Sequence, residues 1–230
     1  MRKTIILLLF LIILAAGCLE TKDAWPAMIS ESILKEGGWV SAGAVQEQNQ
    51  TQNVAGATIK INTAVMNYRD DTLAMNITRQ IQKLTGITQE QASGASQFTS
   101  QLITMRLVLP GGLSLPSEVM NKIIASQLEQ MASLNKIRDF HETGTSKITL
   151  AGGKETNVQN YEGYIDFEGG SIKIHGIMAA WPESGSNIVV FGVMPAEDIM
   201  ITPRQGKTVS VIINGDQESS KIIKLIQNVN

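Results

Sequence analysis

The residues that could carry chemistry in this sequence are few and lie far apart. The chain has one cysteine, Cys18, and two histidines, His141 and His175. A single cysteine cannot form an internal disulfide, and it excludes every metal site built from several cysteines. Two histidines leave too little material for a zinc or iron centre built from histidine. The sequence therefore predicts no metal and no cofactor.

Each histidine has an explanation that requires no catalysis. His141 lies beside Asp139 and Glu142 in a polar stretch just after a predicted helix, where exposure to solvent is the ordinary case. His175 lies in a predicted strand of alternating residues, on the same face as Lys173, so we expect it to hydrogen-bond across the sheet. Acid–base catalysis requires partners that meet in space, and sequence spacing alone does not supply them.

Short catalytic motifs occur only as fragments. Two S-x-x-K tetrapeptides, Ser32–Lys35 and Ser133–Lys136, lack the S-D-N and K-T-G motifs that accompany this nucleophile in penicillin-binding enzymes. Gly206-Lys207-Thr208 ends like a phosphate-binding loop, but Ile201 stands where the first glycine is required. We therefore predict that the protein is not an enzyme and that it has no catalytic residue.

Two tripeptides have the form of N-glycosylation acceptors, Asn49-Gln50-Thr51 and Asn76-Ile77-Thr78. Asn49 falls in a polar segment, Glu47–Gly56, that we predict to be a loop. Asn76 falls in a predicted helix, Asp71–Leu84. Acceptors in surface loops are the accessible ones, so Asn49 is the better candidate of the two.

The start of the chain has the organisation of an export signal. Arg2 and Lys3 form a positive beginning, and the apolar run Ile5–Ala16 leads to Cys18 through small residues. The run is too short for a comfortable membrane span. Its charged start and small-residue end are typical of a secretory signal. We predict a signal peptide over residues 1–17.

The residues around Cys18 resemble the lipobox of prokaryotic lipoproteins. Gly17 and the small Ala16 match that motif, whereas Ala15 stands where leucine is usual and Leu14 lies one place further back. The resemblance implies that the Cys18 thiol carries a diacylglyceryl group and begins the mature chain. Two acyl chains give stable anchoring. The lipobox resemblance therefore implies a lipid-anchored protein on the extracytoplasmic face of the cell membrane.

Residues 18–23 are expected to comprise the lipidated cysteine and a short tether. Fully extended, the segment from Leu19 to Asp23 reaches about 20 Å, so the folded part is expected to stay close to the membrane. The next residues, Ala24–Ala27 with a predicted short helix and Gly37-Gly38-Trp39, are similar to the opening of an archaeal lipoprotein family of unknown function. That resemblance supports a surface lipoprotein and implies no activity.

Residues 24–230 are expected to form a single α+β domain. Consecutive predicted strands joined by short glycine turns indicate antiparallel pairing. Ser117–Leu134 has apolar residues at helical spacing, and an isoleucine stripe marks a last helix that Asp216 is expected to cap. We predict a curved antiparallel sheet covered by these two flanking helices, with 110–112 as a candidate boundary between lobes. The second half is similar in outline to PsbP-like α/β/α domains.

Composition narrows the classes of function. The chain is 43% hydrophobic, and loss of Arg2 and Lys3 with the signal peptide takes the formal net charge from −2 to −4. Nucleic acid is not expected as a partner, because that affinity depends on clustered Lys and Arg. We predict a non-catalytic binding or accessory module for an envelope component or membrane complex. The alternatives are a small-ligand carrier with a groove between the sheet and the Ser117–Leu134 helix, and an envelope hydrolase.

Overall fold

The structure is a computed structural model that describes residues 22–54, 57–112, 120, 124, 128, 132–133, 136–203 and 207–230. The predicted signal peptide, Cys18 and most of the predicted Ser117–Leu134 helix lie outside the described residues. In the part of the chain that is described, no helix is long and apolar enough to cross a membrane.

The described residues form four helices and ten strands. The helices are α1 (Glu31–Gly37), α2 (Asp71–Ile81), α3 (Gln89–Ser96) and α4 (Gly215–Gln227). The strands are β1 (Trp39–Ser41), β2 (Gln46–Val54), β3 (Ala57–Asp70), β4 (Gln101–Val108), β5 (Ile137–Thr149), β6 (Glu155–Phe167), β7 (Gly170–Glu183), β8 (Ser186–Pro195), β9 (Ile199–Ile201) and β10 (Val209–Val211).

Eight of the described strands form one antiparallel sheet in the order β1-β3-β4-β8-β7-β6-β5, and β2 pairs with the same edge of β3 as β1 does. β9 and β10 form a separate two-stranded sheet. The hairpin predicted at Gly152-Gly153 joins β5 to β6, where Gly153 takes φ of 78° and its N–H bonds to the carbonyl oxygen of Leu150. The prediction of an α+β fold built on an antiparallel sheet is confirmed.

The two faces of the sheet pack against different elements. Val190 of β8 lies in one hydrophobic cluster with Ile222 of α4. Its neighbour Val189 lies in another cluster with Met120 and Ile124, which are helical. Successive residues of a strand point to opposite faces, so this alternation shows that both faces are covered. α4 covers one face as predicted, but its N-cap is Asn214, whose side chain accepts from the backbone N–H of Gln217.

One predicted segment is wrong. The polar segment Glu47–Gly56 was expected to be a loop, yet Gln46–Val54 is strand β2, paired along its length with β3. Polar residues are tolerated in an edge strand because water reaches their side chains. The break at Pro110–Gly112 lies between β4 and β5, which belong to the same sheet, and a lobe boundary there stays a prediction. Gly111 takes φ of 69° in this turn.

An extended segment, Lys22–Ser30, runs along the sheet face that α4 covers, and we call it the N-terminal strap. Thr104 donates a side-chain hydrogen bond to the carbonyl oxygen of Ala27, and the Ile29 N–H donates to the Tyr68 hydroxyl. These contacts hold Ala27–Ser30 extended, so α1 begins at Glu31 and not at Ala27 as the apolar spacing predicts. α1 ends at Gly37, and the φ of 76° at its C-cap, Gly38, provides the expected left-handed stop.

Candidate functional site

A half-open cleft of about 350 Å³ lies between α3 and the sheet, where β4 begins and β6 and β8 end. We call it the phenylalanine cleft and define it by Phe98, Ile103, Ile137, Phe167, Phe191 and Val193. Phe191 and Val193 alternate along β8 with residues that face α4, so the cleft opens on the opposite face of the sheet. Such a volume is at the small end of the range for ligand pockets.

The aromatic wall of the cleft depends on how α3 packs. The rings of Phe98 and Phe167 have centroids 5.4 Å apart and planes tilted by 57°. Gly94 of α3 lies so close that a Cβ atom there would be 3.3 Å from the Phe167 side chain. A capping box between Thr88 and Gln91 begins the helix, and the Gln91 side chain also donates to the carbonyl oxygen of Thr202. The helix is therefore held in place by polar contacts, and the aromatic side chains by packing.

The rim of the cleft carries an ion pair. The Arg138 guanidinium donates two hydrogen bonds to the Asp166 carboxylate, one of them from Nη2 to Oδ1 at 2.7 Å. These hydrogen bonds lower the pKa of Asp166 and raise that of Arg138, so both groups stay charged at neutral pH. Asp166 is the one ionisable residue among the described residues that line the cleft. The arrangement suits apolar binding with a charged rim, and not acid–base chemistry.

A cluster that could suggest a hydrolase lies elsewhere, and its serine and carboxylates are buried. Ser100 Oγ donates to Glu218 at 2.7 Å, and Lys221 Nζ donates to Glu218 at 2.7 Å and to Asp70 at 2.9 Å. Ser100 and Asp70 are fully buried, and Glu218 is 4% exposed. Because no substrate can reach the Ser100 hydroxyl, the cluster joins α4 to the sheet and to α2, where Asp70 caps the first turn.

The hydrogen bond predicted for His175 across the sheet is present. His175 Nε2 lies 3.0 Å from Glu162 Oε1, and Lys173 Nζ donates to Glu162 Oε2 at 2.7 Å. The hydrogen bond from Lys173 lowers the pKa of Glu162 despite partial burial, and His175 adds to this effect. The three side chains therefore stabilise the pairing of β6 with β7.

His141 does not meet a metal-binding partner in the described residues. It is exposed on β5, which continues where the sequence suggested a polar segment after a helix, and its Nδ1 donates to the carbonyl oxygen of Asp139 at 2.7 Å. Across the described ranges, no three His, Cys, Asp or Glu side chains gather as metal ligands would.

The predicted modification sites are spread over the chain. Asn49 is exposed, but it lies on strand β2 and not in a loop. Asn76 is exposed on α2 as expected, and its Oδ1 accepts a hydrogen bond from Gln80 at 2.9 Å. Cys18, the expected lipid attachment site, lies outside the described residues.

The cleft was not found by sequence reasoning. Its walls come from five separated parts of the chain, at 94–103, 137, 165–167, 174 and 191–195, and no local spacing connects them. The groove expected beside the Ser117–Leu134 helix stays a prediction, because most of that helix lies outside the described residues; its residues Met120 and Ile124 are buried against the sheet. The phenylalanine cleft lies beside α3.

Comparisons with known proteins bear on the family alone. Residues 26–230 match the model of a family described as a domain of unknown function (DUF6517). The curated proteins contain no match to this chain.

Proposed function

This chain belongs to the DUF6517 family, whose function is unknown, and we propose from its own residues that it is a non-catalytic binding module. A lipid on Cys18 would hold it on the extracytoplasmic face of the cell membrane, where it serves an envelope component or a membrane complex. The lipobox-like residues support the anchor, and the opening of the mature chain supports an archaeal lipoprotein. The PsbP-like outline of the second half stays a prediction.

The observation that carries the binding proposal is the phenylalanine cleft. Its wall is apolar and aromatic, its mouth is open, and the Arg138–Asp166 pair stands at its rim. An apolar side chain of a partner that enters the cleft leaves water, which contributes roughly 25 cal/mol per Å² of buried apolar surface. Interfaces draw most of their affinity from a few such buried anchors. A partner that presents one or two large apolar side chains fits this site.

A photo-crosslinker placed in the cleft tests this proposal. With p-benzoylphenylalanine at Val193, irradiation of membranes should give one discrete adduct to an envelope or membrane protein. Adding Ile103→Trp fills the cleft and should abolish that adduct. The matched control carries the same crosslinker at Val40, an exposed valine of β1 outside the cleft. Equal adducts from Val40 and Val193, or persistence of the adduct with Ile103→Trp, would contradict the proposal.

The anchor is tested separately by Cys18→Ala. Because Cys18 is the sole cysteine of the chain, this variant should incorporate no labelled lipid. It should also leave the membrane fraction unless its signal peptide is retained. Undiminished lipid labelling of the Cys18→Ala protein would refute the lipoprotein assignment.

A small-ligand carrier is the second candidate, and the volume of the cleft favours it. About 350 Å³ can hold a small apolar molecule. A ligand at 100 times its Kd adds about 2.7 kcal/mol to the stability of a one-site protein. Saturable stabilisation by a medium-chain fatty acid, lost in Val193→Trp and kept in Val40→Trp, would favour the carrier over the protein-binding module.

A further inference from the structure

The N-terminal strap fixes the position of Lys22, the first residue that the structure describes, and we call this point the strap exit. Asn62 Nδ2 donates to the carbonyl oxygen of Lys22 at 2.9 Å, and Ala24 is 7% exposed. Only residues 19–21 separate Lys22 from Cys18, so a group on Cys18 stays within about 14 Å of Lys22. A lipid at that position must therefore hold this end of the molecule near the bilayer.

The pairing of the strands identifies which end this is. Asn62 pairs with Val108, the last residue of β4, and the preceding residue Leu107 pairs with Asn187 near the start of β8. The β7–β8 turn therefore lies at the same end. Along β8, the seven residue-to-residue steps from Ser186 to Val193 span roughly 23 Å. The phenylalanine cleft consequently lies toward the opposite end from the strap exit.

Trp25 lies on the strap close to this exit and is the accessible tryptophan of the three in the chain. Its exposed fraction is 44%, against 1% for Trp39 and 4% for Trp181. The guanidinium of Arg106 lies 4.7 Å from the centre of the Trp25 ring. Arg106 is itself 3% exposed, and its Nη1 donates to Ser186 at 2.9 Å, so the ring rests on a fixed support.

The position of this ring relative to the anchor suits a bilayer surface. Tryptophan is enriched at the membrane–water interface, where its apolar body and its N–H group are both satisfied. Trp25 follows the expected lipid site by seven residues. The exposed part of its side chain would face water if it did not meet the membrane. The charges nearby offset each other, since the exposed Lys22 and Lys60 are accompanied by the exposed Asp23 and the half-buried Glu183. Contact between this surface and the bilayer would therefore depend more on the Trp25 ring and the lipid tether than on electrostatic attraction by lysine side chains.

We infer that the strap end of the sheet rests on the lipid bilayer, with the Trp25 ring at the level of the headgroups and the phenylalanine cleft directed away from the membrane. This orientation rests on the proposed lipid on Cys18. The occupant of the Trp25 surface is lipid, and the cleft stays accessible to partners in the envelope.

Tryptophan quenching tests the orientation directly. The chain from Cys18 to Asn230, which contains every described residue, is coupled through Cys18 to a maleimide lipid in phosphatidylcholine vesicles. A spin label attached to the lipid headgroups should quench part of the tryptophan emission, because Trp25 is accessible and the other two tryptophans are buried. Trp25→Phe keeps an aromatic ring on Arg106 and should lose the quenching. Absence of quenching in the coupled protein would overturn the inference.

A second pair of variants reports which end faces the vesicle. In the Trp25→Phe background, Lys60→Trp places a new tryptophan near the strap exit, and Lys83→Trp places one after α2 at the opposite end; both lysines are exposed. Quenching of Lys60→Trp should exceed that of Lys83→Trp severalfold. Equal quenching of the two, or stronger quenching of Lys83→Trp, would contradict the orientation.

Chemical coupling separates this inference from the proposed function. A chain purified from cell membranes without lipid on Cys18 would contradict the proposed anchor. The coupled protein reports the orientation alone, because its lipid does not depend on processing in the cell.

Discussion

Lys221 is the cation that pairs with two buried carboxylates, those of Asp70 and Glu218. Its Nζ lies 2.9 Å from Asp70 and 2.7 Å from Glu218, two carboxylates that are 0% and 5% exposed in their side chains. Burial lowers the pKa of Lys221, but hydrogen bonds to both carboxylates outweigh this effect and raise it overall. One cation therefore neutralises two buried anions only in part, and its removal leaves both without a counter-charge.

We predict that Lys221→Gln destabilises the protein by about 3 kcal/mol, because breaking a buried ion pair leaves uncompensated charge in the interior. The matched control is Lys224→Gln on the same helix. Lys224 pairs with Glu36 at the surface, with side-chain exposures of 56% and 66%, and such pairs contribute about 0–1 kcal/mol. Urea unfolding of the three proteins measures the difference. Equal losses in both variants would show that burial of the cluster does not matter.

The same lysine predicts a pH dependence of stability. A pKa raised above the ordinary lysine value of 10.5 means that the folded state holds this proton more tightly than the unfolded state. The stabilisation is therefore complete below pH 10.5 and is lost as the pH rises through the folded pKa. The stability gap between the wild type and Lys221→Gln should be constant near neutrality and should shrink above pH 10.5. A gap that widens in alkali would have the wrong sign.

At the scale of elements, α4 is held to the sheet by close packing against β8. Ile222 is fully buried, and a Cβ atom on Gly192 would lie 2.6 Å from the Ile222 Cγ2 atom. Gly192 therefore allows the isoleucine side chain to approach the strand. The end of the helix is joined to the strap, since Ile29 and Val229 form an antiparallel bridge. α4 thus stabilises both the sheet and the segment that leads to the anchor.

We predict that Ile222→Ala lowers the free energy of unfolding by about 2–5 kcal/mol, because the site is too tightly packed to close the cavity fully. The control is Ile212→Ala, the same substitution at a side chain that is 63% exposed. Exposed substitutions of this kind usually change stability by less than about 0.5 kcal/mol. Thermal or urea unfolding compares the two. A loss below about 1 kcal/mol for Ile222→Ala would show that α4 is not part of the core.

At the scale of the whole molecule, the strap exit and the phenylalanine cleft lie toward opposite ends of the sheet. The strap joins the expected membrane anchor to the fold through Asn62, Thr104 and Tyr68. The cleft lies beside α3 at the other end. This separation would let one protein hold on to the membrane and bind a partner at the same time.

If the protein is a binding module without a cofactor, several classes of polar small molecule should not bind to it. The chain Lys22–Asn230 should show no change of melting temperature with divalent metals, nucleotides or sugars, because the cleft has an apolar wall. A thermal-shift series at increasing concentrations measures this, with a medium-chain fatty acid as the comparison. A saturable increase with any of these polar molecules would contradict a cofactor-free module.

Several features of the fold could be predicted because they depend on neighbouring residues. Side chains that alternate between the faces of a strand predict β3, β4 and β7, and paired glycines predict the turn between β5 and β6. The isoleucine stripe predicts α4. Each of these patterns is local, since a strand or helix repeats within a few residues. The sequence by itself therefore determined the antiparallel α+β architecture.

The remaining features, namely strand β2, the burial of Asn62 and the phenylalanine cleft, depend on contacts between distant segments and were decided by the tertiary structure alone. β2 is polar and becomes a strand because the edge of β3 offers it backbone partners. The alternation of apolar and polar residues along 58–68 predicts a polar face that carries Lys60 and Asn62, yet Asn62 is 4% exposed because the strap crosses it. The cleft forms only when Phe98, Phe167 and Phe191 meet across α3 and two strands. Sequence periodicity records which face of an element is apolar, whereas burial and cavities depend on which distant segment packs against that face.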